Sequence, residues 1–419
     1  MKITGVETIL LTGPCILDPY ILEFRIRRSA AFIRIATDEG VTGLGETYAG
    51  YFIPEPIPDM VEFFAPILAG RDPDEVEALW ARMYQCGNFW CRVGLGAAVL
   101  AGIDAALWDL RGKKHGLPVY KLLAREYGAL FKDGAGFAGH ARVPVYASGG
   151  GSNYPLDKLA RKLEFYFDAG YRNVKLGAGA HTPERGFFVE TEPAAAAAFE
   201  AEKSEFLRRR FGDGFGLFYD GHMGNSPAAT WDLETAAAVL RAVEPYNVGF
   251  YEEPLHYTRP DWYGELRKRT ATPVAGGECL ATEAEWREFM DHDAFAVGQP
   301  DASYTSSLSA CMRIAARLSH RGGVIATHSW GAGGSLMQNV HLGFACPNIK
   351  VVETAAAYAP LHTEVMGDSF RMADGHLSPP EKPGLGVELP SDFPARYPFV
   401  RGSGEFNNVP GKRLEDERC

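Results

Sequence analysis

The chain has 419 residues, 46% apolar and 23% charged, with 47 Gly and 27 Pro, the balance of a globular protein with room for two or three domains and a large core. Acidic residues outnumber basic ones 53 to 42, giving a formal charge of -11 that argues against a nucleic-acid partner. No window reaches the roughly 18 unbroken apolar residues of a membrane span, and Glu7 interrupts any signal-peptide core in MKITGVETILL. Seven irregularly spaced cysteines without a C-x-x-C point to free thiols in a reducing cytoplasm and away from a zinc site.

In chain order, the first 50 residues read as strands. ILEFRIRRSAAFIRIAT (21–37), the turn signal DEG and then VTGLGET predict a hairpin of a small antiparallel sheet. From about 57 to 127 the pattern turns helical. GLGAAVLAGIDAALWDLRGKKHG ends in basic residues, with Gly116 and Pro118 as stops. The first 135 residues therefore read as an α+β domain.

A different rhythm starts near residue 143. Eight short apolar runs alternate with helix-length patterns: VPVYAS (143–148), RNVKLG (172–177), GLFYD (216–220), VGFYEE (248–253), PVAGGE (273–278), AFAVGQPD (294–301), GVIATH (323–328) and IKVVE (349–353). Strand and helix alternating in this way predict a parallel α/β sheet, and eight units predict a closed barrel over 136–360. The segment 361–419 is Pro- and Gly-rich without strong periodicity and is expected to return to the first domain.

Polar residues stand where such runs end. The second run carries Lys175, and the following ones end in Asp220, in Glu252 and Glu253, and in Glu278, Asp301, His328 and Glu353. In a barrel the strand C-termini feed the loops of the open face, where chemistry sits. Unpaired buried charges are expensive, so packing alone would not choose this series. Three acids on adjacent strands, Asp220, Glu252 and Glu278, suit a hard divalent cation such as Mg²⁺. The bland reading makes each acid a helix cap or an ion-pair partner.

The layout resembles the enolase superfamily and, within it, the mandelate racemase-like branch. The likeness covers nearly the whole chain: AGIDAALWDLRGK (101–113), the strand-end acids, and PGLGVE (383–388) in the tail. It implies a (β/α)7β barrel of the TIM type, with an α+β N-terminal cap completed by the C-terminal segment. It implies that Asp220, Glu252 of EEP and Glu278 of GGE bind one Mg²⁺. Choosing Glu252 over Glu253 rests on the family pattern. The resemblance further implies that Asp301 of QPD and His328 of THS form a dyad, and that Lys175 and Glu353 meet the substrate carboxylate and the developing enediolate. Mg²⁺ with a His base beside an α-carbon is the enolase-type solution to deprotonating a carboxylate substrate. Members of this group are often symmetric oligomers, so a homo-oligomer is expected.

One departure narrows the function. Racemase-like members carry K-x-K at the second strand, and here the segment is Lys175-Leu176-Gly177, without the second base. His222, two residues beyond Asp220, is placed by strand alternation on the same side. D-x-H here resembles the galactonate and mannonate dehydratases, where the His helps expel a β-hydroxyl; ordinary turn chemistry is the competing account. The reading is a Mg²⁺-dependent sugar-acid dehydratase, a hydro-lyase, with a small carboxylate substrate. Its nearest rival is an epimerase, racemase or cycloisomerase with the same enolisation step. Muconate-type and dipeptide-epimerase readings expect a lysine where Asp301 stands. A Schiff-base aldolase on Lys175 and a non-catalytic sugar-acid binder are the rivals from other classes.

Weaker signals stay bland. GGGSN (149–153) lacks the Gly-Lys-Ser/Thr of a P-loop. Trp80, Trp90 and Trp108 read as core, and His140, His181 and His341 as surface or loop residues. Arg25, Arg27 and Arg28 read as a solvated strand face or as contacts to an anionic substrate. Substrate choice is assigned to loops around 14–28 and 47–56.

Overall fold

The structure is a computed structural model describing residues 1–20, 27–149, 154–182, 184–225 and 231–402. The predicted N-terminal hairpin is present from Arg27 on, and residues 21–26 of its first run lie outside the described residues. Strands β1 (Ile3–Pro14), β2 (Arg27–Thr37) and β3 (Thr42–Thr47) form an antiparallel sheet in that order, with Gly40 at positive φ in the turn. Helices α1 (Ile57–Leu68), α2 (Val76–Gly87), α3 (Gly94–His115) and α4 (Val119–Tyr127) follow. Helix α3 lies directly on β3, because a side chain at Gly43 or Gly45 would collide with the carbonyls of Ala106 and Gly102. It stops at Gly116, which is left-handed. Trp108 is buried in this layer, but Trp90 lies beyond the end of α2 and is 38% exposed, so it is not core.

All eight predicted barrel strands form: β4 (Val143–Ser148), β5 (Asn173–Gly177), β6 (Gly216–Asp220), β7 (Val248–Glu252), β8 (Val274–Gly276), β9 (Val297–Gly298), β10 (Val324–Thr327) and β11 (Ile349–Ala355). They pair in parallel in sequence order, and β11 closes on β4 through Val352 opposite Val145. Seven helices alternate with them: α5 (Leu156–Asp168), α6 (Pro193–Phe211), α7 (Leu233–Val243), α8 (Pro260–Arg267), α9 (Glu283–Asp291), α10 (Leu308–His320) and α11 (Gly333–Ala345). Two strands are shorter than their apolar runs by three residues or more. Gly277, at φ 115°, ends β8 before Glu278, and the chain after Gly298 curls so that Tyr304 and Thr305 N–H both donate to the Asp301 carbonyl.

The barrel interior is plugged by Tyr146, Phe218, Phe250, Ala275, Val297, Ala326 and Val351. The Phe218 and Phe250 rings stack at 4.3 Å. Strand alternation then fixes what sits one layer above. Two residues past Phe218, Phe250, Ala326 and Val351 come Asp220, Glu252, His328 and Glu353.

The C-terminal segment returns to the first sheet. Leu11 bridges Pro398, Thr12 N–H donates to the Tyr397 carbonyl, and Asp109 of α3 accepts from Leu385 N–H at 2.7 Å. A short ribbon (Met372–Ala373 with His376–Leu377) also pairs with β4.

Candidate active site at the open end of the barrel

Lys175 sits at the centre of the strand-end acids. Its Nζ donates to Glu252 Oε2 at 2.8 Å and lies 3.0 Å from Asp220 Oδ2 and 3.2 Å from Glu353 Oε1, 5.5 Å above the Tyr146 ring. All four polar residues are buried. Burial opposes the charge on Lys175, but Asp220, Glu252 and Glu353 outweigh it and hold the ammonium well above the usual lysine range.

Opposite lies His328. Its Nδ1 is 2.8 Å from Asp301 Oδ2, and its Nε2 is 3.4 Å from Glu278 Oε2 and 3.9 Å from Glu353 Oε2. Asp301 Oδ1 already accepts from Ser303 N–H and Oγ–H and from Asn339 Nδ2 at 2.6 to 2.8 Å. A carboxylate so held offers only an acceptor to the ring, so Nδ1 carries the proton and Nε2 faces the acids. Burial disfavours the imidazolium, yet Glu278, Glu353 and Asp301 override it and raise the His328 pKa to about 10. Ser329 N–H donates to Glu353 Oε2 and fixes that carboxylate.

The acids outnumber the cations among them. Burial and then the neighbouring Asp220 push Glu252 well above the carboxylate range, and burial and then Glu278 do the same to Glu253. Burial also opposes ionisation of Asp220, but His222 and Lys175 pull it down. Glu252 Oε1 and Glu253 Oε1 are buried with no hydrogen-bond partner. Orphaned carboxylate oxygens beside unneutralised acids are the environment a divalent cation relieves, and an all-oxygen donor set suits Mg²⁺. The residues therefore fit the group. Ligand atoms of Glu253, Glu278 and Cys279 come within 4.8 Å of one another. Asp220 and Glu252 turn to Lys175 instead, and Glu278 shares itself with His328.

His222 lies beside Asp220, but strand alternation does not put it there. Strand β6 ends at Asp220, and His222 has φ 51°, a left-handed turn residue. Its N–H donates to Asp220 Oδ1 at 3.1 Å, and its Nε2 lies 3.3 Å from Asp220 Oδ2. Turn chemistry and proximity to the site therefore coexist. The ring is 61% exposed, at the mouth.

Some residues of the site carried no local sequence signal. Tyr48 packs its ring 5.3 Å from His328, and its N–H donates to the Ser303 carbonyl. Beside it in sequence, Glu46 ties the cap to the barrel by accepting N–H bonds from Ala332 (2.7 Å) and Ser335 (2.8 Å) at the start of α11. Glu253 and Cys279, next to the expected ligands, also face the cluster. Other expectations are corrected. Arg28 is not on a solvated face: it is buried between Tyr51 and Trp330, each ring centroid 5.3 Å away, and donates to the Gly331 carbonyl. Arg25 lies outside the described residues, as do residues 150–153 of GGGSN. His341 is no surface residue. It is buried in α11, accepts from Tyr120 N–H and donates to the Leu385 carbonyl, and burial lowers its pKa to about 4.

A barrel with convergent acids at its open end, covered by an antiparallel α+β cap, defines an enolase-type enzyme. Two family models match: "Mandelate racemase / muconate lactonizing enzyme, N-terminal domain" over 13–124 and "Enolase C-terminal domain-like" over 158–393. The chain belongs to the mandelate racemase/muconate lactonizing enzyme family of the enolase superfamily. It is 29% identical over 413 residues to a D-galactonate dehydratase family member of Paenibacillus sp. (strain JDR-2), covering 93% of this chain and 91% of that one. It is 30% identical over 380 residues to the D-galactonate dehydratase of Pectobacterium atrosepticum, covering 88% and 91%. The crystal structure of the 3,6-anhydro-D-galactonate cycloisomerase from Zobellia galactanivorans superposes with a TM-score of 0.77 at 25% identity, over 95% of this chain and 99% of that one. Among the described residues, no helix is long and apolar enough to cross a membrane.

Proposed function

We propose that the protein is a hydro-lyase that dehydrates a sugar acid by removing the α-proton and expelling a β-hydroxyl. The observation that carries this reading is His328, oriented by Asp301 and facing the carboxylate cluster around Lys175. The D-galactonate dehydratase relatives support it.

The roles follow from position. His328 Nε2 is the free face of a ring whose other nitrogen is tied to Asp301, so it takes the proton. Lys175 is the buried cation facing the substrate carboxylate, and Glu353, fixed by Ser329 N–H, hydrogen-bonds the oxygen on which charge builds. His222, at the mouth, donates a proton to the leaving hydroxyl. Asp220, Glu252 and Glu278 would hold Mg²⁺, which when bound supplies positive charge to offset that developing on the substrate. A cation there would also cancel the carboxylate field that raises His328, returning the ring toward the range of a useful base.

A cycloisomerase is the second reading, favoured by the Zobellia neighbour and sharing the same proton abstraction. One assay separates them. Incubation of aldonic and aldaric acids with the protein and Mg²⁺ is expected to yield a keto acid that semicarbazide traps, with EDTA abolishing the signal. A semicarbazide-reactive product formed from a 3,6-anhydro sugar acid, whose ring oxygen is the β-leaving group, but from none of the aldonic and aldaric acids favours the cycloisomerase. Turnover that survives EDTA and is trapped by borohydride on Lys175 would replace both with aldolase chemistry.

A further inference from the structure

A cavity of about 520 Å³ opens from the reactive end and runs out between the barrel and the cap. Its inner wall includes Glu278, 3.4 Å from His328, and Tyr48, whose ring packs on the same imidazole. Anything held at the cluster with length to spare extends into this space. Its two sides differ in chemistry. The cap side is Phe52, Ile53, Val93 and Leu95 beside Tyr48. The barrel side adds Asn225, Glu285 and Tyr304. Phe52, Ile53 and Val93 are each about half exposed, at 49%, 48% and 47%. Apolar side chains left this open at the mouth of a site gain by being covered.

Charge sharpens the contrast. The ionisable lining residues are acids, Glu278 and Glu285, with the Cys279 thiol and tyrosines, and no Lys or Arg lines the cavity among the described residues. Among the described lining residues, a second carboxylate on the substrate would face like charge and an apolar wall, with neither a counter-ion nor a donor fork to meet it. A terminal hydroxyl against the side chains of Phe52, Ile53, Val93 and Leu95 would lose its water without gaining a partner from them.

Resting on the dehydratase reading above, we propose that this cavity receives the far end of the substrate and selects a monocarboxylic sugar acid with an apolar terminus, a deoxy sugar acid, over aldaric acids and fully hydroxylated aldonic acids. Asn225 and Tyr304 leave room to bind hydroxyls on the barrel side of the carbon chain. The cap side covers the methyl end.

The test uses matched pairs in the galacto, manno and gluco series: each hexonate, its 6-deoxy counterpart and its aldarate, with the full-length protein and Mg²⁺. Dehydration and α-proton exchange in D₂O are both followed. In the productive series the deoxy acid is expected to exceed its hexonate about tenfold or more in kcat/KM, the discrimination one group commonly brings in an apolar pocket. The aldarate is expected to fall below both. Ile53→Asn and Val93→Asn, at half-exposed positions where folding is not at stake, should shrink the deoxy preference to within about threefold. A hexonate or aldarate preferred over the deoxy acid, or a preference untouched by both variants, overturns the proposal while leaving the dehydratase reading standing. Absence of exchange with every acid in the panel takes down the enolising reading and this proposal with it.

Discussion

His328 Nδ1 and Asp301 Oδ2 lie 2.8 Å apart, and the other oxygen of Asp301 is saturated by Ser303 and Asn339. The carboxylate cannot swing away from the ring without losing those three bonds. Asp301→Asn would keep much of the packing but offer the ring a dipole, or an N–H that turns it to the wrong tautomer. Activity is expected to fall by about 10²–10⁴-fold, the usual worth of general acid–base catalysis, with the acidic limb of the pH–rate profile, which reports deprotonation of the His328 base, displaced. An unchanged profile would show that the two residues do not act as a pair.

Glu278 is shared between His328 and the acidic cluster. Glu278→Gln removes one carboxylate charge and is expected to weaken Mg²⁺ binding in calorimetric titration by more than about tenfold, beyond what loss of a mere supporting hydrogen bond commonly does at its low end. The titration reads the cation directly and needs no substrate. Wild-type affinity in the variant would remove Glu278 from the ligand set.

Strand alternation made much of this legible. Phe218 and Asp220, Phe250 and Glu252, and Val351 and Glu353 are i, i+2 pairs, apolar then acidic, and they became plug and site. Residues beyond the strand ends could not be placed that way. His222 reaches the site through a left-handed turn, and Glu253, at φ 42°, leaves the strand so that both adjacent acids face inward. Tyr48 belongs to the site only because the cap docks on the barrel, and no local pattern encodes contact between residue 48 and residue 328. The mixed chemistry of the cavity between cap and barrel was equally out of reach, since it assembles residues 48–53, 93–95 and 304.

Two cap acids are buried against barrel helices and give stability a pH dependence. Burial raises Asp104, which accepts Leu308 N–H at the start of α10, from 3.8 to about 8, and Glu46, at the start of α11, from 4.5 to about 7. Their folded pKa values exceed the unfolded ones, so the folded chain holds protons that the unfolded chain has released. That contribution is complete below about pH 4 and is lost as pH rises through about 7 for Glu46 and about 8 for Asp104. Asp104→Asn keeps an acceptor for Leu308 and abolishes the titration. Chemical denaturation at pH 6 and pH 9 is expected to show a smaller loss in the variant, with a gain over the parent of about 1–3 kcal/mol at the higher pH. An equal loss in both proteins would refute the assignment to Asp104.

The two histidines divide the reaction differently, because their surroundings differ. His328 is buried, with Nδ1 committed to Asp301 and Nε2 among the acids, whereas His222 is 61% exposed and touches Asp220 from the solvent side. Proton removal needs a base fixed beside the α-carbon; expulsion of hydroxide needs, in addition, a donor at the β-oxygen. His222→Asn is therefore expected to stop formation of the keto acid while retaining exchange of the α-proton in D₂O, and His328→Asn to abolish both. Following substrate by NMR separates the two steps in one sample. Exchange that survives in His328→Asn but vanishes in His222→Asn would invert the roles, placing the exposed ring on the face from which the proton leaves. Full dehydration by His222→Asn would reduce Asp220-Gly221-His222 to a carboxylate followed by turn residues, with the left-handed φ at His222 serving only to let its N–H reach Asp220 Oδ1.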